Sequence, residues 1–203
     1  MTPAAGGKDR VSCQPYSLPN SASVVASSPG LNNRPGLVIG AGGRVLLGSG
    51  QQRATQTVIF AMNVSAYNNK TAIYQTPVTI SVDASGATLS TVTGGGENRS
   101  TGWVPDLNKV LIIAASINAS TMQSAFIACK AAAPELYEKT ATHTNVATDA
   151  DARALAFSIG RLSIGPAAHY GLILGFDAAL HLPANRDTLN AAFDIMKAYY
   201  GVA

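Results

Sequence analysis

The stretch LVIGAGGRVLLGSG (residues 37–50) decides between two folds. A strand-like run enters a cluster of glycines, as at the start of a dinucleotide-binding unit. That unit needs Gly-x-Gly-x-x-Gly and then a helix, whose N-terminus carries the pyrophosphate. Here Gly40, Ala41, Gly42 and Gly43 lead into Arg44 and Val45, so Val45 stands where the third glycine belongs. The RVLLGSG that follows is short, apolar and closed by glycine, which begins no helix, and the next carboxylate is Asp83. No Gly-Lys-Ser/Thr string is present for a phosphate loop. Nucleotide binding is therefore excluded as a reading. The glycines are expected to supply positive φ in a tight turn that joins two strands.

Outward from this stretch the chain is punctuated like an all-β protein. QTVIFAMNV, AIYQTP and VTISVD follow one another, the last with Val78, Ile80 and Val82 alternating against Thr79 and Ser81. A Ser-Gly turn leads into ATLSTVT, and GGGENRSTG reads as a long polar loop. KVLIIAASIN, QSAFIACKAA, ALAFSIGR and HYGLILGFDAAL complete the set. About ten short strands at regular spacing predict a two-sheet antiparallel sandwich or jelly roll. One helix is predicted, over 186–200. Asn185 precedes it as N-cap, Asp187 lies in the first turn, Lys197 in the last, and Gly201 follows as the C′ residue. Leu189, Phe193, Met196 and Tyr200 form one apolar stripe, read as a docking face.

Residues 1–30 have a different texture, rich in Pro, Ser, Ala and Gly without periodicity. They are expected to form an extended arm, mobile or ordered against a neighbouring subunit, with the sandwich over 31–203. The first residues lack the apolar core of a secretory signal, and VLIIAA is too short to cross a bilayer.

Composition narrows the function classes. The 203 residues are 47% hydrophobic but only 12% charged, with a net charge of +3. Such a surface is built from neutral polar groups, a pattern common in extracellular and virion proteins. The basic residues are scattered, with no run to track a phosphate backbone, so nucleic acid is not an expected partner. Cys13 and Cys129 are far apart and belong to no metal-ligating cluster. Two free thiols, with Cys129 buried in a strand, are expected over a single disulfide. Four Asn-x-Ser/Thr strings, at Asn63, Asn69, Asn98 and Asn118, carry little weight in so Ser- and Thr-rich a chain.

At the level of whole segments the chain resembles concanavalin A-like, laminin G-type domains. NNRPGLVIGAGGRVLLGSG followed by QTVIFAMNV is similar to their opening. FSIGRLSIGPAAHYGLILGFDAALHLPANRDTLNAAFDIMKAYYG is similar to their close, a Ser-Ile-Gly strand, a loop, a Gly-x-Ile strand and a final helix ending in Tyr-Gly. The resemblance implies a two-sheet antiparallel jelly roll, a fold often used to bind carbohydrate. Members that hydrolyse β-glucans carry Glu-x-Asp-x-x-Glu on one strand, and legume-type lectins hold calcium with an Asp/Asn cluster. This sequence has neither pattern.

Candidate chemistry is sparse. Glycoside hydrolysis needs two opposed carboxylates, and only 11 Asp and Glu are available. Glu135 and Glu138 are read as solvated in a loop, and Asp149 and Asp151 as a polar turn that offers few oxygens to calcium. His143, His169 and His181 have no Gly-x-Ser-x-Gly elbow to serve. No enzyme activity, metal or cofactor is expected. Sugar binding needs an aromatic platform beside amide, hydroxyl or Arg groups. The best candidate is Glu97, Asn98, Arg99 and Trp103, with Trp103 alternatively a core anchor; a second is Tyr67 and Asn68. Two functions are carried forward. One is a non-enzymatic virion structural protein, a decoration or tail-associated component, in contact with copies of itself and other virion proteins. The other is an adhesion module that recognises a cell-surface polysaccharide. Both place the chain in a virion or on an extracellular surface, without a membrane partner.

Overall fold

The computed structural model describes residues 6–8, 15–17, 22–40, 45–47, 53–66, 71–75, 78–83, 85–91, 99–154, 157–161 and 168–202. The strands are β1 (Gly6–Lys8), β2 (Pro15–Ser17), β3 (Ala22–Ser28), β4 (Arg34–Ile39), β5 (Val45–Leu47), β6 (Gln56–Val64), β7 (Thr71–Gln75) and β8 (Val78–Asp83). They continue as β9 (Gly86–Thr91), β10 (Arg99–Ser100), β11 (Leu111–Asn118), β12 (Gln123–Lys130), β13 (Ala133–Thr142), β14 (Phe157–Arg161) and β15 (Ala168–Phe176). Two helices, α1 (Asp149–Ala154) and α2 (Arg186–Tyr200), and two short 3-10 turns, Pro29–Leu31 and Pro183–Asn185, complete the described elements. One sheet runs β1-β2-β5-β14-β7-β8-β9-β10 and the other β13-β12-β11-β6-β15-β4-β3. The pairings are antiparallel throughout.

The molecule has three layers: sheet, sheet and helix. Between the sheets lie Phe60, Met62, Ile80, Val82, Ile113, Phe126 and Tyr170. Behind the seven-stranded sheet, Ile59, Ile112, Ile127 and Cys129 meet Leu189, Phe193, Met196 and Tyr200 of α2. The central strands are therefore buried on both faces, which is why QTVIFAMNV and LIIAASIN read as near-continuous apolar runs. Small residues make room for the helix by alternating with large ones across the strands. Ala61 pairs with Ile112, and Ala114 pairs with both Ile59 and Ile127. Cys129 is a free thiol in this layer, and burial pushes its pKa up to about 11. Cys13 lies outside the described residues.

The helix has the bounds its periodicity predicts, and its apolar stripe is the docking face. Gly201 adopts φ 64° and its N–H donates to the Lys197 carbonyl, as does that of Val202, closing the helix in a Schellman turn. The N-terminus differs from expectation. Asn185 sits at the cap position but makes no side-chain cap bond; its side-chain amide donates to the Ala179 carbonyl at 3.1 Å. The far end has a second closure, from 165 and 168 residues upstream in the fold's opening turn. Asn32 donates to the Tyr200 carbonyl (2.6 Å) and Arg34 to that of Tyr199 (2.9 Å), while the Arg34 guanidinium stacks 4.6 Å over the Tyr199 ring.

Four further differences have physical causes. First, β4 and β5, which flank the glycine run, do not form a hairpin. β4 pairs with β3 and β15, whereas β5 pairs with β2 and β14. The chain thus passes from one sheet to the other between Gly40 and Val45, and residues 41–44 lie outside the described ones. Second, the 1–30 segment includes sheet. β3 adds to β4 at one edge, where Val24 is exposed and only Ser28 is buried, so its sequence shows no core signal. Third, APELYEKTAT is not a loop but the ten-residue edge strand β13. An edge strand faces solvent along one side and tolerates Pro and charge, which hides it from a hydrophobicity reading. Fourth, the ATDADAR turn is the short helix α1, begun by a reciprocal pair in which Asp151 N–H donates to the Thr148 hydroxyl and Thr148 N–H to the Asp151 carboxylate.

Candidate functional site

The edges of the two sheets meet at β10 and β13. Register sets what they present to each other. On β13, Lys139 lies opposite Phe126 and two residues from Tyr137, and both of those rings pack into the inter-sheet core. Alternation therefore turns Lys139 toward the gap between the sheets, whereas Glu138 faces away. Arg99 and Ser100 form β10, pairing with Leu89 and Thr88. Between the edges is an open cleft of about 370 Å³ lined by Arg99, Ser100, Thr101, Lys139, Thr140 and Thr142, with Ala141.

Its floor is braced. The Tyr137 hydroxyl donates to the Thr101 carbonyl. The Thr101 hydroxyl donates to the Ala87 carbonyl (2.7 Å) and accepts from Trp103 N–H (3.1 Å). Trp103 is 5% exposed and its ring packs 5.3 Å from that of Phe126. It is a core anchor beneath the cleft, so its ring offers no stacking face to solvent. Arg99 lies in the cleft wall, exposed. Glu97, Asn98, Tyr67 and Asn68 lie outside the described residues. Lys139, the other cation of the site, carried no signal in the sequence beyond its alternation with Tyr137.

The histidines make a different kind of site. Each bonds a serine hydroxyl: Ser28 with His169 Nδ1 (2.6 Å), Ser124 with His143 Nε2 (2.6 Å) and Ser116 with His181 Nδ1 (2.7 Å). All three serines are buried, at 1% exposure or less, so no substrate reaches their oxygens. The pairs tie segments together. The Thr57 hydroxyl bonds that of Ser116 (2.7 Å), and Thr57 also holds Ala178 O and Leu180 N–H, so the loop after β15 is pinned to the sheet. Burial lowers the pKa of His169 and of His181; at His181 the smaller influences of Glu138 and Arg186 oppose each other.

Glu138, expected to be solvated, accepts both arms of the Arg186 guanidinium at 2.6 and 3.0 Å. That bond raises the Arg186 pKa, and the same guanidinium donates to the His181 carbonyl (2.9 Å). Asp149 is likewise engaged, accepting Ala54 N–H at 2.7 Å. It belongs to a second cleft, of about 470 Å³, with Arg53, Thr55, Ser120, Thr148 and Asp177. Most of that lining is spent internally: Thr55 accepts Ala119 N–H, Thr148 exchanges bonds with Asp151, and Arg53 lies 3.9 Å from Asp177. Among the described residues no group of three or more His, Cys, Asp and Glu is placed to hold a metal, and no helix is long and apolar enough to cross a membrane.

No protein-family model matches the chain, and no curated protein matches its sequence. Solved structures do match its shape. Tailspike protein 2 of an Escherichia coli O157:H7 bacteriophage superposes over 83% of this chain with TM-score 0.57 and 10% identity. Domain 4 of a GH43 extracellular arabinanase from Geobacillus stearothermophilus, in complex with arabinotriose, superposes over 81% with TM-score 0.52 and 12% identity. Trypanosoma rangeli sialidase, in complex with sialic acid, superposes over 97% with TM-score 0.60 and 11% identity. The chain spans 26% of the tailspike and 32% of the sialidase, but 85% of the arabinanase domain. The fold is that of a concanavalin A-like β-sandwich, with antiparallel sheets and a C-terminal helix.

Proposed function

We propose that the chain is a non-enzymatic, saccharide-binding sandwich of a virion or cell-surface assembly, with the β10–β13 cleft as its contact surface. The observation that carries this reading is the cleft itself. It lies at the open edge of the sandwich, is large enough for a small ligand, and presents the hydroxyls of Ser100, Thr140 and Thr142 beside two cations. Hydroxyls that both donate and accept match the hydroxyls of a sugar. No carboxylate is among the lining residues, whereas glycoside hydrolysis uses two. The fold shared with an arabinotriose-bound domain and a phage tailspike supports the same class. The low charge content suits a surface that packs against copies of itself and other virion proteins.

Binding of the purified chain to a panel of bacterial surface polysaccharides tests it, beside Thr142→Trp, which fills the cleft. Saturable binding, lost in the variant while its circular dichroism is kept, is the expected result. Absence of binding to every glycan, or binding indifferent to the variant, overturns the assignment of the cleft. New reducing ends released during binding would make the chain an enzyme and overturn the non-enzymatic part.

A further inference from the structure

We infer that His181 is a proton-operated latch on the β13 wall of the cleft, holding that wall while neutral and releasing it in acid. For its consequence, pH-dependent binding, the inference rests on the saccharide-binding reading; the latch itself does not. It starts from a count of protons. The Thr57 hydroxyl meets the Ala178 carbonyl (2.7 Å), which can only accept, so the one Thr57 proton goes there. The Ser116 hydroxyl, 2.7 Å from that of Thr57, must then be the donor between them. Its proton is used in turn, so the bond to His181 (2.7 Å) is donated by Nδ1–H. Nε2 is left as a bare lone pair, in a residue only 5% exposed, and no hydrogen-bond partner meets it.

A proton arriving in acid adds at Nε2. The elements packed around the ring offer that charge little. β6 and β11 present the neutral Thr57 and Ser116, β13 presents Glu138 and α2 presents Arg186. Glu138 already holds both arms of Arg186, and the same guanidinium donates to the carbonyl of His181 itself (2.9 Å). A charged ring would be a buried cation beside a second cation, with one carboxylate for both. Burial, ahead of these charges, lowers the His181 pKa below its ordinary 6.5. Linkage gives the sign. The latched form is favoured above about pH 6.5, and as pH falls toward the folded pKa, proton uptake favours the conformation that exposes the ring. That opening is local, in the loop after β15 and the first turn of α2. It parts Arg186 from Glu138, the residue before Lys139 in the cleft wall. β13 is an edge strand paired with β12 alone, so loss of this tie loosens the wall.

The first arm of the test uses the unaltered full chain. Imidazole nitrogen NMR spectra should show His181 at pH 7 with Nδ1 protonated and Nε2 bare; the opposite tautomer would overturn the relay. Amide exchange, corrected for its intrinsic pH dependence, should quicken roughly fivefold or more from pH 7 to pH 5 in residues 136–142 and 177–187, in step with the titration of that ring. Exchange in β13 that stays constant through the titration would overturn the latch. Arabinotriose and dextran carry no titrating group, so a change in their binding with pH belongs to the protein. Whichever binds at pH 7 should bind several-fold more weakly at pH 5. His181→Gln should level both effects. His143→Gln, at the buried histidine that follows β13 and bonds Ser124, should keep them. The reverse result would overturn the assignment to His181. Unchanged binding at pH 5 with β13 loosened would overturn the link to the cleft. Failure of both sugars to bind at pH 7 would count against the saccharide reading alone, and exchange would still decide the latch.

Discussion

Gly171 is glycine because Tyr200 occupies the space a side chain would take. A methyl there would overlap the Tyr200 hydroxyl. The pairing of β15 with β6 is irregular between Tyr170 and Ile173, and that hydroxyl accepts the N–H of Leu172 within the irregularity (2.5 Å). The Gly-x-Ile of the strand and the Tyr-Gly of the helix, separate marks in the sequence, are thus one contact. Gly171→Ala is expected to destabilise the fold by roughly 1–3 kcal/mol through overpacking, read as a lower urea midpoint with unchanged slope. His181 sets a pH dependence at the same scale. Burial holds its folded pKa below the ordinary 6.5, so between those values the unfolded chain binds a proton that the folded chain does not. The stability at stake is fully present above about pH 6.5 and is lost as pH falls toward the folded pKa. His169, lowered for the same reason, adds to it with the same sign. The melting temperature should therefore drop between pH 7 and pH 5, and drop less in His181→Gln. An equal slope in that variant would remove His181 from the account.

Among the elements, the central strands and the last helix were legible, and the edges were not. β6, β11 and β12 bury both faces and α2 buries one, so their apolar residues had only one way to be read. β13 gave little signal because its residues answer to two environments. Leu136 packs toward the helix layer and Tyr137 toward the inter-sheet core, while Glu138 reaches Arg186. Trp103 was recognisable as either a platform or an anchor, and only the packing of Phe126 against it decides. The cleft was half visible: Arg99 stood beside the polar loop, but Lys139 reaches it through a register that no local pattern encodes. Glu138→Gln tests what holds this edge. It keeps the shape but removes the charge that accepts both arms of Arg186. A loss of about 1 kcal/mol is expected, with faster amide exchange concentrated in β13 and the first turn of α2. Uniformly faster exchange would instead mean that the pair supports global stability and not this edge.

For the whole molecule, the consequence of three layers is that the helix is part of the core and not an appendage. The seven-stranded sheet turns Ile59, Ile112 and Ile127 toward α2, which supplies most of their cover, with Leu31 and Leu180 in the same buried layer. Each such side chain is worth about 1.5–3 kcal/mol in transfer from water, against a typical net stability of about 5–15 kcal/mol for a folded domain. Loss of the helix layer would therefore remove a large share of that margin, even with every sheet hydrogen bond intact. Asn32 and Arg34 bind the opening turn to the last carbonyls of α2, so the two ends of the sandwich unfold together in this account. Truncation after residue 185 is accordingly expected to abolish cooperative unfolding and bring the chain into aggregates, seen as loss of a single melting transition and as early elution in size exclusion. A truncated chain that melts cooperatively as a monomer would show the two-sheet sandwich to be self-sufficient and the helix layer to be an addition to it.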